Sequence, residues 1–342
     1  MHMWLLLTPR CNLVCGYCFQ RKSGYHQKVE IPSDSLDRFF EFVETRNIDS
    51  MTIIGGEAFV SVKDLKRVLE FARRRHISIS MITNGTIYLG WLKDFSDIIS
   101  QIQISIDGPQ RIHDRNRKYE NGAGSYRTVI RNIQKYNSDG LHVSTHMVIP
   151  VEGYKESVDS IKELLSDVPE DVRLSFELEH GLAQDWKTLK SIAKYFYKTI
   201  LDFPQRLRKR ILVPRRAGAY GMSVCQAGVN SQTYDALTGN FFSCHESAGT
   251  QEDIVGDIRS DPIFDVKALE RVVKNTDGTR YRLWNLPWFL SEILKYILPV
   301  SVCWKQFSDD CKDTYSITPY EMYLAWMQFV HHRKFGQEAE VV

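Results

Sequence analysis

Short apolar runs alternate with amphipathic segments along the first half of the chain. Residues 3–7, 51–54, 77–82 and 101–106 each predict a strand, and polar or glycine-containing turns follow. Between them, Leu36, Phe39, Phe40 and Val43 recur at helical spacing after Pro32-Ser33, and Leu65, Val68, Leu69 and Ala72 repeat the pattern. Residues 89–99 predict a short helix. The alternation continues with a helix over 126–136, a strand over 141–149, a helix over 158–165 and a strand over 172–178. Strands interleaved with helices in this way imply a parallel sheet with right-handed crossovers. The predicted class is α/β, with ligand chemistry gathered at the carboxyl ends of the strands.

The pattern changes after about residue 183. Residues 186–203 predict a helix, 225–245 a hairpin turning at Leu237-Thr238-Gly239-Asn240, and 320–332 a final helix. The expected organisation is an α/β unit over 1–183, a helical connection over 184–224, a cysteine-bearing extension over 225–312 and a C-terminal helix over 313–342.

A chain of 342 residues, 43% hydrophobic and 25% charged, has room for one large domain plus a smaller one. A net charge of +2 gives no general attraction to nucleic acid or to an anionic membrane, and neither is expected as a partner. The apolar start lacks a basic n-region and meets Pro9 and Arg10 too soon for a signal peptide. The apolar stretch 284–304 is interrupted by Pro287, Glu292, Lys295 and Pro299, which argues against a membrane span.

The seven cysteines add chemistry to this outline. Their number is odd, and three are crowded into Cys11-Asn-Leu-Val-Cys15-Gly-Tyr-Cys18, directly after the first strand. That disfavours a disulfide framework and points to reduced thiols holding metal in a cytoplasmic setting. Zinc sites usually join one CxxC pair to a second, and no second pair lies nearby. Three thiolates on one tight loop can hold three irons of a 4Fe–4S cubane, leaving the fourth iron open to a small ligand. Further candidates stand at predicted strand ends: Gly55-Gly56-Glu57, Thr83-Asn84-Gly85 and Ser105-Ile106-Asp107-Gly108. Glycines there permit close backbone approach, and Glu57 can accept from an ammonium group.

In that order, the CxxxCxxC motif and the three strand-end motifs resemble the radical S-adenosylmethionine (radical SAM) superfamily over roughly the first 180 residues. The resemblance implies a partial (β/α)6 TIM-like barrel, a 4Fe–4S cluster on Cys11, Cys15 and Cys18, and SAM chelated to the open iron. It places Tyr17 against adenine and Gly55, Gly56 and Glu57 at the ammonium. Thr83, Asn84, Ser105 and Asp107 complete the implied SAM site, around the carboxylate and ribose. The segment from Ser105 through Arg117 to Gly122-Ala-Gly124-Ser-Tyr is similar to the subgroup of anaerobic sulfatase maturases and maturases of ribosomally made peptides (RiPPs). Arg117 is then a candidate for the SAM carboxylate, with a solvated loop arginine as the alternative.

Cys225, thirteen residues, Gly239, four residues and Cys244 match the opening of that subgroup's SPASM or Twitch extension, which carries auxiliary Fe–S clusters. Gly256-Asp257-Ile258 adds to the likeness, but the dense cysteine run of a two-cluster SPASM domain is absent. One auxiliary cluster on Cys225, Cys244, Cys303 and Cys311 is therefore implied, with buried core thiols as the alternative for the last two. The basic residues Arg206, Arg208, Lys209, Arg210, Arg215 and Arg216 suit either an acidic peptide leader or a solvated helix end. His146 and Glu177, on the fifth and sixth predicted strands, are candidates for the barrel interior.

The activity implied is reductive cleavage of SAM to a 5′-deoxyadenosyl radical and hydrogen abstraction from a peptide or protein, ending in cross-linking, oxidation or epimerisation. A precursor peptide and a flavodoxin- or ferredoxin-type reductant are the implied partners. With the cluster loop beginning at residue 11, peptide recognition is expected from the barrel mouth, the extension or a separate recognition protein. Two alternatives stand beside it. One is a radical SAM dehydrogenase or lyase acting on a small metabolite. The other is a non-catalytic Fe–S sensor or assembly partner, against which the cysteine triad and Gly55-Gly56-Glu57 argue.

Overall fold

The computed structural model describes residues 1–22, 24–25, 29–179, 186–211, 231–245 and 254–270. Its parallel strands β1 (His2–Leu6), β2 (Ser50–Ile54), β3 (Ser78–Thr83), β4 (Ile99–Ser105), β5 (Val143–Ile149) and β6 (Arg173–Leu178) stand side by side in chain order. Sequential order without a switch point is that of a barrel wall, not of a doubly wound sheet. The helices are α1 (Phe19–Lys22), α2 (Ser35–Glu44), α3 (Val62–Arg74), α4 (Gln110–Asn116), α5 (Tyr126–Ser138), α6 (Tyr154–Asp159), α7 (Ile161–Asp167), α8 (Trp186–Leu201) and α9 (Gln205–Arg208).

The helical stripes read from the sequence are the ones buried. Helix α2 buries Leu36, Phe39, Phe42 and Val43, and α3 buries Leu65, Val68, Leu69, Phe71 and Ala72. Phe40, expected in the first stripe, is half-buried and stacks on Phe71 with centroids 4.3 Å apart. Two predicted helices differ. The segment over 89–99 is a short 3₁₀ helix, Gly90–Phe95, whose buried Leu92 and Phe95 sit three residues apart, the spacing at which that helix eclipses its side chains. The segment over 158–165 is broken into α6 and α7 at Ser160, whose hydroxyl donates back to the Ser157 carbonyl at 2.7 Å.

The two faces of the wall differ in chemistry. Met3 and Leu5, Met51 and Ile53, and Ile79 and Met81 join the main core. The alternate residues Trp4, Leu6, Ile54 and Ile82 form a second, smaller cluster with Tyr25. On β4–β6 the alternate positions are instead Gln101, Gln103, Ser105, Ser144, His146 and Ser175, with Gln103 opposite Ser144 and His146 between Ser105 and Ser175. The inner face thus joins the apolar Trp4, Leu6, Ile54 and Ile82 to polar residues, Thr52 and Ser80 on β2 and β3 and the glutamines, serines and His146 on β4–β6. A closed barrel would fill it with branched aliphatic side chains.

The hairpin joins this wall. Strand β7 (Ser231–Asp235) pairs parallel with β1, β8 (Asn240–Phe242) returns antiparallel, and β9 (Ile254–Asp257) pairs with β8, making a nine-stranded sheet. Its turn is set by Gly239 at φ +76°. Phe39 stacks on Tyr234 with centroids 4.6 Å apart, the Ser35 hydroxyl donates to the Ala236 carbonyl, and the Tyr25 hydroxyl donates to Asp235 at 2.5 Å. These contacts tie the extension to the first crossover. Cys225, Cys303, Cys311, Arg215, Arg216 and the predicted C-terminal helix lie outside the described residues. Among the described residues, no helix is long and apolar enough to cross a membrane.

One member of the basic run is structural. Arg210 is buried, and its guanidinium donates to the carbonyls of Leu165, Val168, Pro169 and Val172 at 2.6–3.2 Å. It satisfies the orphan carbonyls where α7 ends. Arg206 and Lys209 remain exposed. Arg210→Ala strands those acceptors, so the urea midpoint should fall by the equivalent of about 3 kcal/mol, with Arg210→Lys recovering part of the loss.

Candidate active site

Pairing between the first two strands continues beyond their ends into the cysteine loop. Leu7 N donates to Ile54 O, Gly56 N to Thr8 O and Glu57 N to Arg10 O, at 2.7–2.8 Å. A Cβ on Gly55 would lie 2.5 Å from the Thr8 carbonyl oxygen, and one on Gly56 would lie 2.5 Å from that of Arg10. The two glycines therefore admit the backbone that leads into Cys11.

Glu57 is 1% exposed. Its Oε1 accepts from Phe59 N at 3.0 Å and Thr83 Oγ1 at 2.8 Å, and its Oε2 from Asn84 N at 2.6 Å. The carboxylate is an internal bracket between the ends of β2 and β3, where the sequence suggested a group presented to an ammonium. Burial pushes the carboxyl upward against the pull of those three donors. Glu57→Ala leaves three buried donors without an acceptor, worth about 2–4 kcal/mol of stability in the SAM-free protein. An unchanged urea midpoint for the SAM-free variant would return Glu57 to a ligand-binding role.

Cys11, Cys15 and Cys18 are free and partly exposed. Leu13 N donates to Cys11 Sγ at 3.4 Å and Asn84 Nδ2 reaches it at 3.7 Å. Burial pushes the Cys11 thiol up to about 12 and the Cys15 thiol up to about 11, so a bound cation is needed to make them thiolates at neutral pH. Among the described residues, no three His, Cys, Asp or Glu side chains converge as they would around a single ion. A cubane asks for a different arrangement, one thiolate to each of three irons.

The loop is braced from the far side by the chain after α4. Val14 N donates to Lys118 O at 2.7 Å and Gly16 N to Asn116 O at 3.3 Å. Behind them lies a buried polar group. Asp107 is fully buried, accepts from the Tyr17 hydroxyl at 2.5 Å and meets Arg117 Nε at 3.1 Å as an ion pair without hydrogen-bond alignment. The guanidinium lies 5.3 Å from the Tyr17 ring centroid. His113, lowered to about 4 by burial, is neutral; it accepts from Asp107 N at Nδ1, so Nε2 carries the proton toward Ser125 Oγ. Ser125 in turn donates to the Arg117 carbonyl.

Two sequence expectations change here. Asp107, expected near carboxylate or ribose, faces Tyr17 and Arg117 inside the protein. Arg117, 7% exposed, is no solvated loop residue. Among the described residues, no acceptor takes its Nη donors and none pairs with the Ser105 hydroxyl, which suits an anionic ligand at the end of β4. Half-buried Tyr17 sits beside them. Thr83 and Asn84 are engaged with Glu57 and with the cysteine loop. Deeper in the wall, Gln101 Nε2 donates to Ser144 Oγ at 2.6 Å, and His146 Nδ1 lies 2.9 Å from Ser175 Oγ. Of Glu177 only the backbone is described. Cys244 follows β8, and its neighbour His245 stacks on Trp4 with centroids 4.1 Å apart, at the inner face.

Sequence reasoning missed Asn12, Thr86 and the Tyr25–Asp235 pair. Asn12 and Thr86 stand within or beside recognised motifs, and their proximity to those motifs was the available signal. The Tyr25–Asp235 contact, 210 residues apart in sequence, has no local signature.

A sequence profile described as the radical SAM superfamily matches residues 5–165. The sporulation killing factor maturation protein SkfB of Bacillus subtilis is 26% identical over 164 residues, 46% of this chain and 38% of that protein. The serine-type anaerobic sulfatase-maturating enzyme of Bacteroides thetaiotaomicron is 28% identical over 152 residues, 41% of this chain and 37% of that enzyme. The matched stretches thus span well under half of these relatives. A solved structure described as native anSMEcpe with bound AdoMet and Cp18Cys peptide superposes with a TM-score of 0.72 at 17% identity, over 97% of this chain and 96% of that one. The barrel wall, the CxxxCxxC loop at its carboxyl end and the matching profile agree, and residues 5–165 of this chain are a radical SAM domain.

Proposed function

We propose that this chain is a cytoplasmic radical SAM enzyme that modifies a peptide or protein. The carrying observation is placement: the cysteine loop follows β1, Ser105 ends β4, and the chain leading into Arg117 is bonded to that loop, so all stand at the carboxyl end of a wall whose inner face is partly polar. The bound 4Fe–4S cluster and SAM would supply one-electron cleavage of a sulfonium C–S bond and hydrogen abstraction from an unactivated carbon. Cys11, Cys15 and Cys18 would hold the cluster. Arg117 and Ser105 would bind the SAM carboxylate by charge-assisted hydrogen bonds, and Tyr17 would flank the adenine. The strand-end glycines and Glu57 keep the loop seated. Support for a peptide substrate comes from the relatives' names, a killing-factor maturation protein and a sulfatase-maturating enzyme, and from the peptide in the solved neighbour.

A Twitch-like auxiliary cluster on Cys225, Cys244, Cys303 and Cys311 belongs to the same proposal, as do a flavodoxin- or ferredoxin-type reductant and a separate peptide-recognition protein. A small polar metabolite is the second reading, favoured by Gln101, Gln103, His146 and Ser175 on the inner face. The test is anaerobic reconstitution with iron and sulfide, then dithionite, SAM and peptides encoded beside this gene. Methionine, 5′-deoxyadenosine and a peptide of altered mass are expected, an epimerised peptide being revealed by deuterium gained when the reaction is run in D2O. Turnover of SAM with every such peptide unchanged would favour the metabolite, and no cleavage of SAM by the reconstituted protein would reject the enzyme.

A further inference from the structure

Three side chains beside Cys11 close a ring of hydrogen bonds. Asn12 Nδ2 donates to Thr86 Oγ1 at 2.8 Å, Thr86 Oγ1 donates to Asn84 Oδ1 at 2.7 Å, and Asn84 Nδ2 donates to Asn12 Oδ1 at 2.9 Å. Its sense is fixed by the backbone, because Thr86 N can only donate and does so to Asn84 Oδ1 at 3.0 Å. The amide nitrogen of Asn84 must then face the cysteine loop, where it also reaches Cys11 Sγ at 3.7 Å. Leu13 N donates to the same sulfur. Asn84 and Thr86 are 7% and 8% exposed, so water screens the ring weakly and each bond polarises the next.

We infer that the Asn12–Thr86–Asn84 ring consists of positioning residues for the cluster, which hold Cys11 in place and aim an N–H donor at its sulfur. The inference rests on the radical SAM reading only in that Cys11 must carry iron. N–H donors to a ligating sulfur withdraw charge from the iron–thiolate bond and stabilise the reduced state. The ring also joins the residue next to the first cysteine to the turn after β3, over 72 and 74 positions of sequence. Thr86 is the informative member, since it completes the ring without touching the sulfur.

The test compares wild type with Thr86→Val, which keeps the shape and loses the hydroxyl, and Thr86→Ser, which keeps the hydroxyl. Each is reconstituted anaerobically, checked by circular dichroism, and titrated with dithionite in the absence of SAM, with the reduced cluster followed by electron paramagnetic resonance. Thr86→Val should shift the midpoint to more negative potential, and Thr86→Ser should match wild type. Asn84→Asp, which sets an acceptor-only carboxylate beside the sulfur, should shift it further the same way. Faster loss of iron to a chelator from folded Thr86→Val than from Thr86→Ser also supports the ring. If Thr86→Val does not fold, Asn12→Ala at the half-exposed side of the ring takes its place with the same expectation. Wild-type midpoint and iron retention in these variants would overturn the inference while leaving the cluster reading intact. Failure of the wild type itself to take up a cluster would reject both.

Discussion

Asp107→Ala is expected to lower the urea midpoint of the cluster-free protein by the equivalent of about 3–5 kcal/mol, because it leaves the Arg117 charge buried without its partner. The loss is more than one interaction. The Tyr17 hydroxyl loses its acceptor in the same step, and Tyr17 stands next to Cys18. Burial pushes the Tyr17 hydroxyl well above its ordinary range, so it stays protonated and cannot neutralise Arg117 in place of Asp107. Asp107→Asn keeps an acceptor for Tyr17 but not the charge, and should fall between wild type and the alanine variant. The double variant Asp107→Leu, Arg117→Met removes both charges and should recover much of the stability, since the desolvation penalty disappears with them. A single variant as stable as wild type would mean that Arg117 takes its counter-charge elsewhere, and Asp107 would return to the ligand site.

The wall and its helices were legible because both rest on periodicity. Leu65, Val68, Leu69 and Ala72 of α3 are buried at the spacing the sequence shows, and the parallel pairing of β1 to β6 follows from the alternation of strands and helices. Motif positions were legible as well, since Gly55-Gly56-Glu57, Thr83-Asn84-Gly85 and Ser105 all stand at strand ends. What spacing could not supply was the direction of each polar side chain. Glu57, Asn84 and Asp107 carry the chemistry of ligand contacts, yet all three spend their hydrogen bonds on the protein. A short carboxylate or amide at a strand end satisfies a neighbouring turn as readily as a ligand, and three-dimensional proximity decides which. The docking of β7 on β1 was hidden for a related reason. Its contacts join residues near 25–39 to residues 234–236, a separation that no local pattern reports.

Replacing Cys11, Cys15 and Cys18 together by Ala should abolish formation of methionine and 5′-deoxyadenosine from SAM while leaving a soluble, folded protein. The fold does not rest on these thiols. They are partly exposed, and the loop is held by backbone bonds from Val14 to Lys118 and from Glu57 to Arg10, together with buried Leu13. Burial keeps Cys11 and Cys15 protonated, so removing those two thiols unpairs no charge in the cluster-free protein. Activity has no such reserve, because a cubane without its three thiolates has no other ligand set on that loop. Iron analysis of the triple variant then reports on the extension. About four irons should remain if Cys225, Cys244, Cys303 and Cys311 hold an auxiliary 4Fe–4S cluster, and those four thiols should resist alkylation in the folded protein. No remaining iron, with free alkylation of Cys303 and Cys311, would leave a one-cluster enzyme. Persistent 5′-deoxyadenosine from the triple variant under dithionite would remove the cysteine loop from the chemistry altogether.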